Sequence, residues 1–208
     1  MDKFALLPMT LARAFAGKPA QSGALGLVLV IAAICEAPTA ALADDAETWN
    51  AKLQSTYIWQ QKPAFSSPYE GPHSLNAARE DSYSLTATAA FGLRLARHTE
   101  LYFDPEMAQG VPLSGLQGLA GFTNGEMARS SGSRPVFYRA RLFARQTFDL
   151  GNERESVESA MNQLGGDVAK RRVVVSAGFV PVMDIFDANT YAHDARSQFL
   201  NWSFMTYA

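Results

Sequence analysis

The chain has 208 residues, 48% of them hydrophobic, and a formal net charge of −2. Length and balance are those of an ordinary globular chain, and the weak net charge gives no support to nucleic-acid binding. The densest basic run, Lys170-Arg171-Arg172, reads better as the start of a strand.

At the N-terminus Lys3, Arg13 and Lys18 precede the apolar run GALGLVLVIAAI (23–34), which leads to Pro38 and the small-residue site Ala41-Leu42-Ala43. This is the pattern of a secretory signal peptide over 1–43 with cleavage after Ala43. The run is shorter than the about 20 apolar residues of a membrane helix. A lipoprotein anchor on Cys35 is disfavoured by the bulky Ile34 before it. Cleavage removes Cys35, the single cysteine, so residues 44–208 have neither disulfide nor thiol chemistry. No second long apolar run follows, so a membrane location would require strands.

The first strand is expected over TWNAKLQSTYIWQQ (48–61), where Trp49, Ala51, Leu53, Tyr57 and Trp59 alternate with Asn50, Lys52, Gln54, Thr56 and Gln60. Aromatic residues at both ends of the apolar row match the girdles of a lipid-facing band. A long Pro-, Gly- and Ser-rich loop (62–81) separates it from SYSLTATAAFGLRLAR (82–97). That second stretch alternates throughout, and residues 83–95 exceed the about 9–11 needed for a membrane strand.

A tight turn at Arg97-His98-Thr99-Glu100 leads to LYFDPEM (101–107), a third strand expected to break near Pro105, which has no N–H for the ladder. After a Gly-rich loop (109–135) comes FYRARLFARQTF (137–148), with Arg139, Arg141 and Arg145 on the polar row and Gln146 out of place on the apolar one. NERESVESAMNQLGGD (152–167) reads as a short helix or loop ending at Gly165-Gly166. RRVVVSAGFV (171–180) is the fifth strand and FLNWSFMTY (199–207) the sixth.

Alternation alone also fits a soluble sheet with one wet face. The export signal, the strand lengths, the aromatics at strand ends and the alternation of long loops with tight turns together favour an all-β, antiparallel transmembrane barrel. An Arg facing lipid near the bilayer midplane costs about 2–4 kcal/mol. Arg94, Arg139, Arg141 and Arg145 are therefore expected to point inward.

The stretches over 100–126, YRARLFARQTF (138–148) and above all DIFDANTYAHDARSQFLNW (184–202) resemble the carbohydrate-selective porins of the OprB family. The resemblance spans the chain from about Trp49 onward. It implies an outer-membrane barrel of about sixteen strands through which carbohydrates, monosaccharides among them, diffuse passively into the periplasm. It implies no enzyme activity and no cofactor. Sugars and outer-membrane lipid would be the partners, with a homo-oligomer as one form of the assembly. Six strands fall short of sixteen and Tyr207-Ala208 is not the usual terminal aromatic, so 44–208 is read as the N-terminal part of such a barrel.

In porins the third external loop folds inward and narrows the lumen. Here that would be 181–196, making Asp184, Asp187, Asn189, Tyr191, His193 and Asp194 candidates for the constriction, with Arg139, Arg141 and Arg145 as donors on the wall. Sugar hydroxyls both donate to carboxylates and accept from guanidinium groups, and a Tyr face suits a pyranose. Alternatively these charges only pair with one another to fix the loop. Metal chemistry finds no support: Asp184, Asp187 and Asn189 lack the spacing of a calcium loop, and His73, His98 and His193 are scattered. Nor is there a G-x-S-x-G elbow or a phosphate-binding glycine loop. Outside the porin class, the alternatives are a small closed barrel of about eight strands with a structural or adhesive role, or a secreted soluble β-protein.

Overall fold

The computed structural model describes residues 28–36, 46–115, 124–129, 132–186 and 189–201. The fold is all-β. Six strands form one antiparallel sheet in the order β1 (Val28–Glu36), β2 (Trp49–Lys62), β3 (Glu80–Ala96), β4 (Thr99–Val111), β5 (Gly132–Asp149) and β8 (Arg172–Phe179). Between β5 and β8 a separate hairpin pairs β6 (Arg154–Val157) with β7 (Gly166–Ala169). Among the described residues the sheet does not close on itself, since β1 and β8 each pair along one edge only. β1 lies inside the stretch read as the export leader, overlapping its apolar run, and runs along β2 from Val28↔Gln60 to Glu36↔Lys52. Loss of residues 1–43 would strip it away and free that edge of β2.

Period-two patterning places the strands as expected for β2, β3 and β8, and the two faces of the sheet then differ in an unusual way. On β3 the polar row is the covered one: Ser84, Thr86 and Thr88 are 1%, 2% and 1% exposed. The apolar row is the bare one, with Phe91 and Leu93 46% and 44% exposed. The same inversion holds on β2, where Asn50, Thr56 and Gln60 are buried while Trp49, Leu53 and Tyr57 are exposed. Cross-strand register keeps the rows in phase, pairing Leu93 with Leu101 and Phe91 with Phe103 on the bare face, and Thr88 with Glu106 and Arg94 with Glu100 on the covered one. Tyr57 and Tyr83 stack on the bare face at a ring separation of 6.3 Å.

Three predicted features come out differently. The third strand does not end at Pro105; β4 is continuous, and the register slips between Asp104 and Pro105 so that Asp104 faces Arg141 while Pro105 faces Arg139. β5 thus has one extra residue, Ala140, and this bulge accommodates a proline that cannot donate to the ladder. The segment read as helix or loop over 152–167 is the β6–β7 hairpin. It reverses at Met161-Asn162 between the bridged pair Ala160 and Gln163, with Asn162 in the left-handed region at φ 58° that asparagine tolerates. Of the expected sixth strand, residues 199–201 are not extended in a sheet, and 202–207 lie outside the described residues.

β2 and β4 finish at one end of the sheet, β8 finishes beside Leu142 midway along β5, and the tight turn at Arg97-His98 and the hairpin lie at the other end. Chain from both ends folds back over the polar face. From the hairpin, Leu164 packs with Tyr102 and Phe143, whose rings stack at 4.9 Å, and Val180 closes the cluster. Gly92 makes room for it: a Cβ there would sit 2.6 Å from Asn50 Oδ1 and 3.0 Å from the Tyr102 ring.

Candidate functional site

The folded-back segments and the polar row enclose an open cleft of about 770 Å³, whose walls include Arg141, Arg145, Asp184, Asp194 and Arg196. Pro181 and Val182 follow β8 and start one helical turn, Met183–Phe186, that presents Asp184 to β5. Arg141 grips it with two parallel bonds, Nε to Oδ2 at 2.6 Å and Nη2 to Oδ1 at 2.7 Å. This fork-to-fork geometry is the strong form of a guanidinium–carboxylate pair. Arg141 Nη1 also reaches Asp104 Oδ2 at 3.4 Å, which accepts a second bond from Asn162 Nδ2 at 2.9 Å. Asp104 is fully buried, and its Oδ1 has no hydrogen-bond partner among the described residues.

Arg145 lies over the Tyr102 ring, 4.8 Å from its centre, and donates from Nη1 to the Asn162 carbonyl at 3.1 Å. Glu100 links this arginine to Arg94, at 3.8 Å and 3.1 Å respectively. On the covered face Arg94 and Arg145 thus flank Glu100 in one cross-strand row, and Arg141 faces Asp104 in another.

Arg196 meets three side chains in the cleft. Its Nε donates to Glu126 at 2.9 Å, Nη2 meets Glu106 at 3.0 Å, and Nη1 donates to the Thr88 hydroxyl at 3.2 Å. Glu106 also accepts from Thr88 at 2.5 Å and from the Tyr138 hydroxyl, and Glu126 accepts from Thr86. Burial works against the Arg196 charge, but the carboxylates of Glu126 and Glu106 outweigh it and hold the guanidinium pKa above its ordinary value.

Of the predicted site residues, Arg141, Arg145, Asp184, His193 and Asp194 are brought together at the cleft. Arg139 is not. The bulge shifts its phase to the bare face, where it sits 4.8 Å over the Phe179 ring. Asn189 and Tyr191 are on the exposed outer part of the segment, with Asn189 Oδ1 accepting from the Tyr191 and Ala192 amides. Asp194 is at the cleft but holds its own turn, accepting from the Arg196 amide at 2.9 Å and the Ser197 hydroxyl at 2.8 Å. Asp187 lies outside the described residues.

Sequence reasoning missed Asp104, Glu106 and Glu126 as the partners of the arginines. The first two were within reach of it, because Glu100, Asp104 and Glu106 share the polar phase of β4 beside the arginine row of β5. Among the described residues no group of His, Cys, Asp and Glu could hold a metal ion. Among the described residues no helix is long and apolar enough to cross a membrane. No family model, curated protein or solved structure matches the chain.

Chemically, the cleft offers paired donors and acceptors at short intervals and no strong excess of one sign. Such a surface suits neutral, hydroxylated solutes, which can insert into existing hydrogen-bond pairs without needing to compensate a net charge.

Proposed function

We propose that the chain forms part of the wall of an outer-membrane β-barrel of the porin type, through which carbohydrates diffuse passively. The observation that carries this is the inverted sheet: threonine and serine on β3 are covered while phenylalanine and leucine on the same strand are bare. In water that arrangement leaves a broad apolar face unburied; against lipid acyl chains the same face is at home. Supporting it are the 17-residue length of β3, the aromatics towards the ends of the apolar row, the resemblance to carbohydrate-selective porins, and the leader that would export the chain. The free edges of the sheet need partners in hydrocarbon, so strands from further copies of the chain would close the barrel. The conduit is passive, and no residue is assigned a catalytic step.

The test is swelling of liposomes reconstituted with the exported chain, in monosaccharides, a disaccharide and an amino acid of similar size. Uptake that falls with solute size and favours sugars is expected. No uptake beside a working porin control would overturn the conduit and favour a barrel filled by its own loops. The mutual pairing of Glu106, Arg196 and Thr88 inside the cleft is the observation that speaks for that second reading.

A further inference from the structure

Arg196 touches three separate pieces of the fold at once: Thr88 on β3, Glu106 on β4, and Glu126 in the short turn Gly125–Arg129. The turn and the segment carrying Arg196 are also tied to each other, the Gly125 amide donating to the Leu200 carbonyl at 2.7 Å. Beneath them, Asn124 Nδ2 donates to Ser84 Oγ at 2.7 Å and Thr86 donates to Glu126. Among the described residues, the other side chains that bond to Glu106 and Glu126 include the neutral hydroxyls of Thr88, Tyr138 and Thr86.

We propose that Arg196 is the positioning residue that fastens both inward-folded segments to the strand wall. Resting on the conduit reading, the same contact sets the width of the sugar pathway. Without the guanidinium, two covered carboxylates face each other with no cation between them, and the cheapest relief is for the turn and the 189–201 segment to lift off and let water in. Lysine cannot replace it, since one ammonium lacks the planar fork that meets three partners in three directions.

The experiment uses the full chain with Cys35→Ser, folded in detergent micelles, carrying a single cysteine at Ala108→Cys or Ala169→Cys. Both alanines are fully covered, the first opposite Thr86 on the wall and the second in the β6–β7 hairpin. With Arg196→Ala, labelling of position 108 by a water-soluble maleimide should speed up by on the order of tenfold, as expected for a local opening. Position 169 should stay protected, and Arg196→Lys should fall between. An unchanged rate at 108, or equal rises at both positions, would overturn the assignment. Labelling needs no pore, so sugar uptake measured on the same variants decides the conduit separately. Faster passage of larger sugars through Arg196→Ala supports both ideas, and absent uptake with local opening sinks the conduit while leaving the fastening intact.

Discussion

The inverted sheet can be tested by moving one charge between adjacent residues of β2. Leu53 is on the bare row at 46% exposure and Gln54 on the row lining the cleft. The centre of the strand falls between Ser55 and Thr56, so Leu53 is offset by two to three residues. At about 3.4 Å per residue that is roughly 8 Å along the strand, and a tilt of about 45° brings it to roughly 6 Å in height. The apolar band of an outer-membrane barrel is about 25 Å tall. On the barrel reading Leu53 would lie about halfway between the midplane and the edge of that band, and Leu53→Arg should cost about 1–3 kcal/mol, a shift of roughly 5- to 150-fold in the folding equilibrium. In a water-soluble sheet the same change at a half-exposed site would cost about 0.5 kcal/mol or less. Gln54→Arg faces the wet side and should lie within about 1 kcal/mol of the parent. The assay is guanidinium titration of the chain folded into lipid vesicles, followed by the fluorescence of its three tryptophans. A cost for Leu53→Arg below about 1 kcal/mol, or a larger one for Gln54→Arg, would refute the assignment of faces.

Two further outcomes follow from the cleft and the sheet. Arg141→Met should destabilise the fold by about 3–5 kcal/mol, because it leaves Asp104 covered and without its cation; adding Asp104→Asn should recover most of the loss, and a thermal-melt double-mutant cycle checks it. Gly92→Ala should cost about 1–3 kcal/mol in the same melts, since the added methyl meets Asn50 and the Tyr102 ring with no room to spare.

The rows of β2 and β3 were legible in the sequence because side-chain alternation is a local property of an extended chain, independent of what the strand pairs with. Trp49, Leu53 and Tyr57 had to share one face and Asn50, Thr56 and Gln60 the other as soon as the segment was a strand. The tight turn at Arg97-His98 was equally local. Arginine placement was legible only in part: Arg141 and Arg145 share the covered face, whereas Arg139 does not. Its phase is set by a bulge opposite Pro105, and a bulge is a feature of two strands in register, invisible to the periodicity of one.

The hairpin over 154–169 escaped detection for a related reason. Its residues are polar and helix-permissive, and its shape comes from what it covers: Leu164 enters a cluster with Tyr102 and Phe143, and the Gly165 amide is held by Glu47 at 2.7 Å. Arg196 read as the last residue of a loop because all three of its partners are distant in the chain, the nearest 70 positions away. The sequence alone determined which residues are in phase along each strand, since that follows from backbone geometry. Only the tertiary structure decided which phase is covered, where the phase breaks and which charges meet, since each of those depends on contacts between segments far apart in the chain.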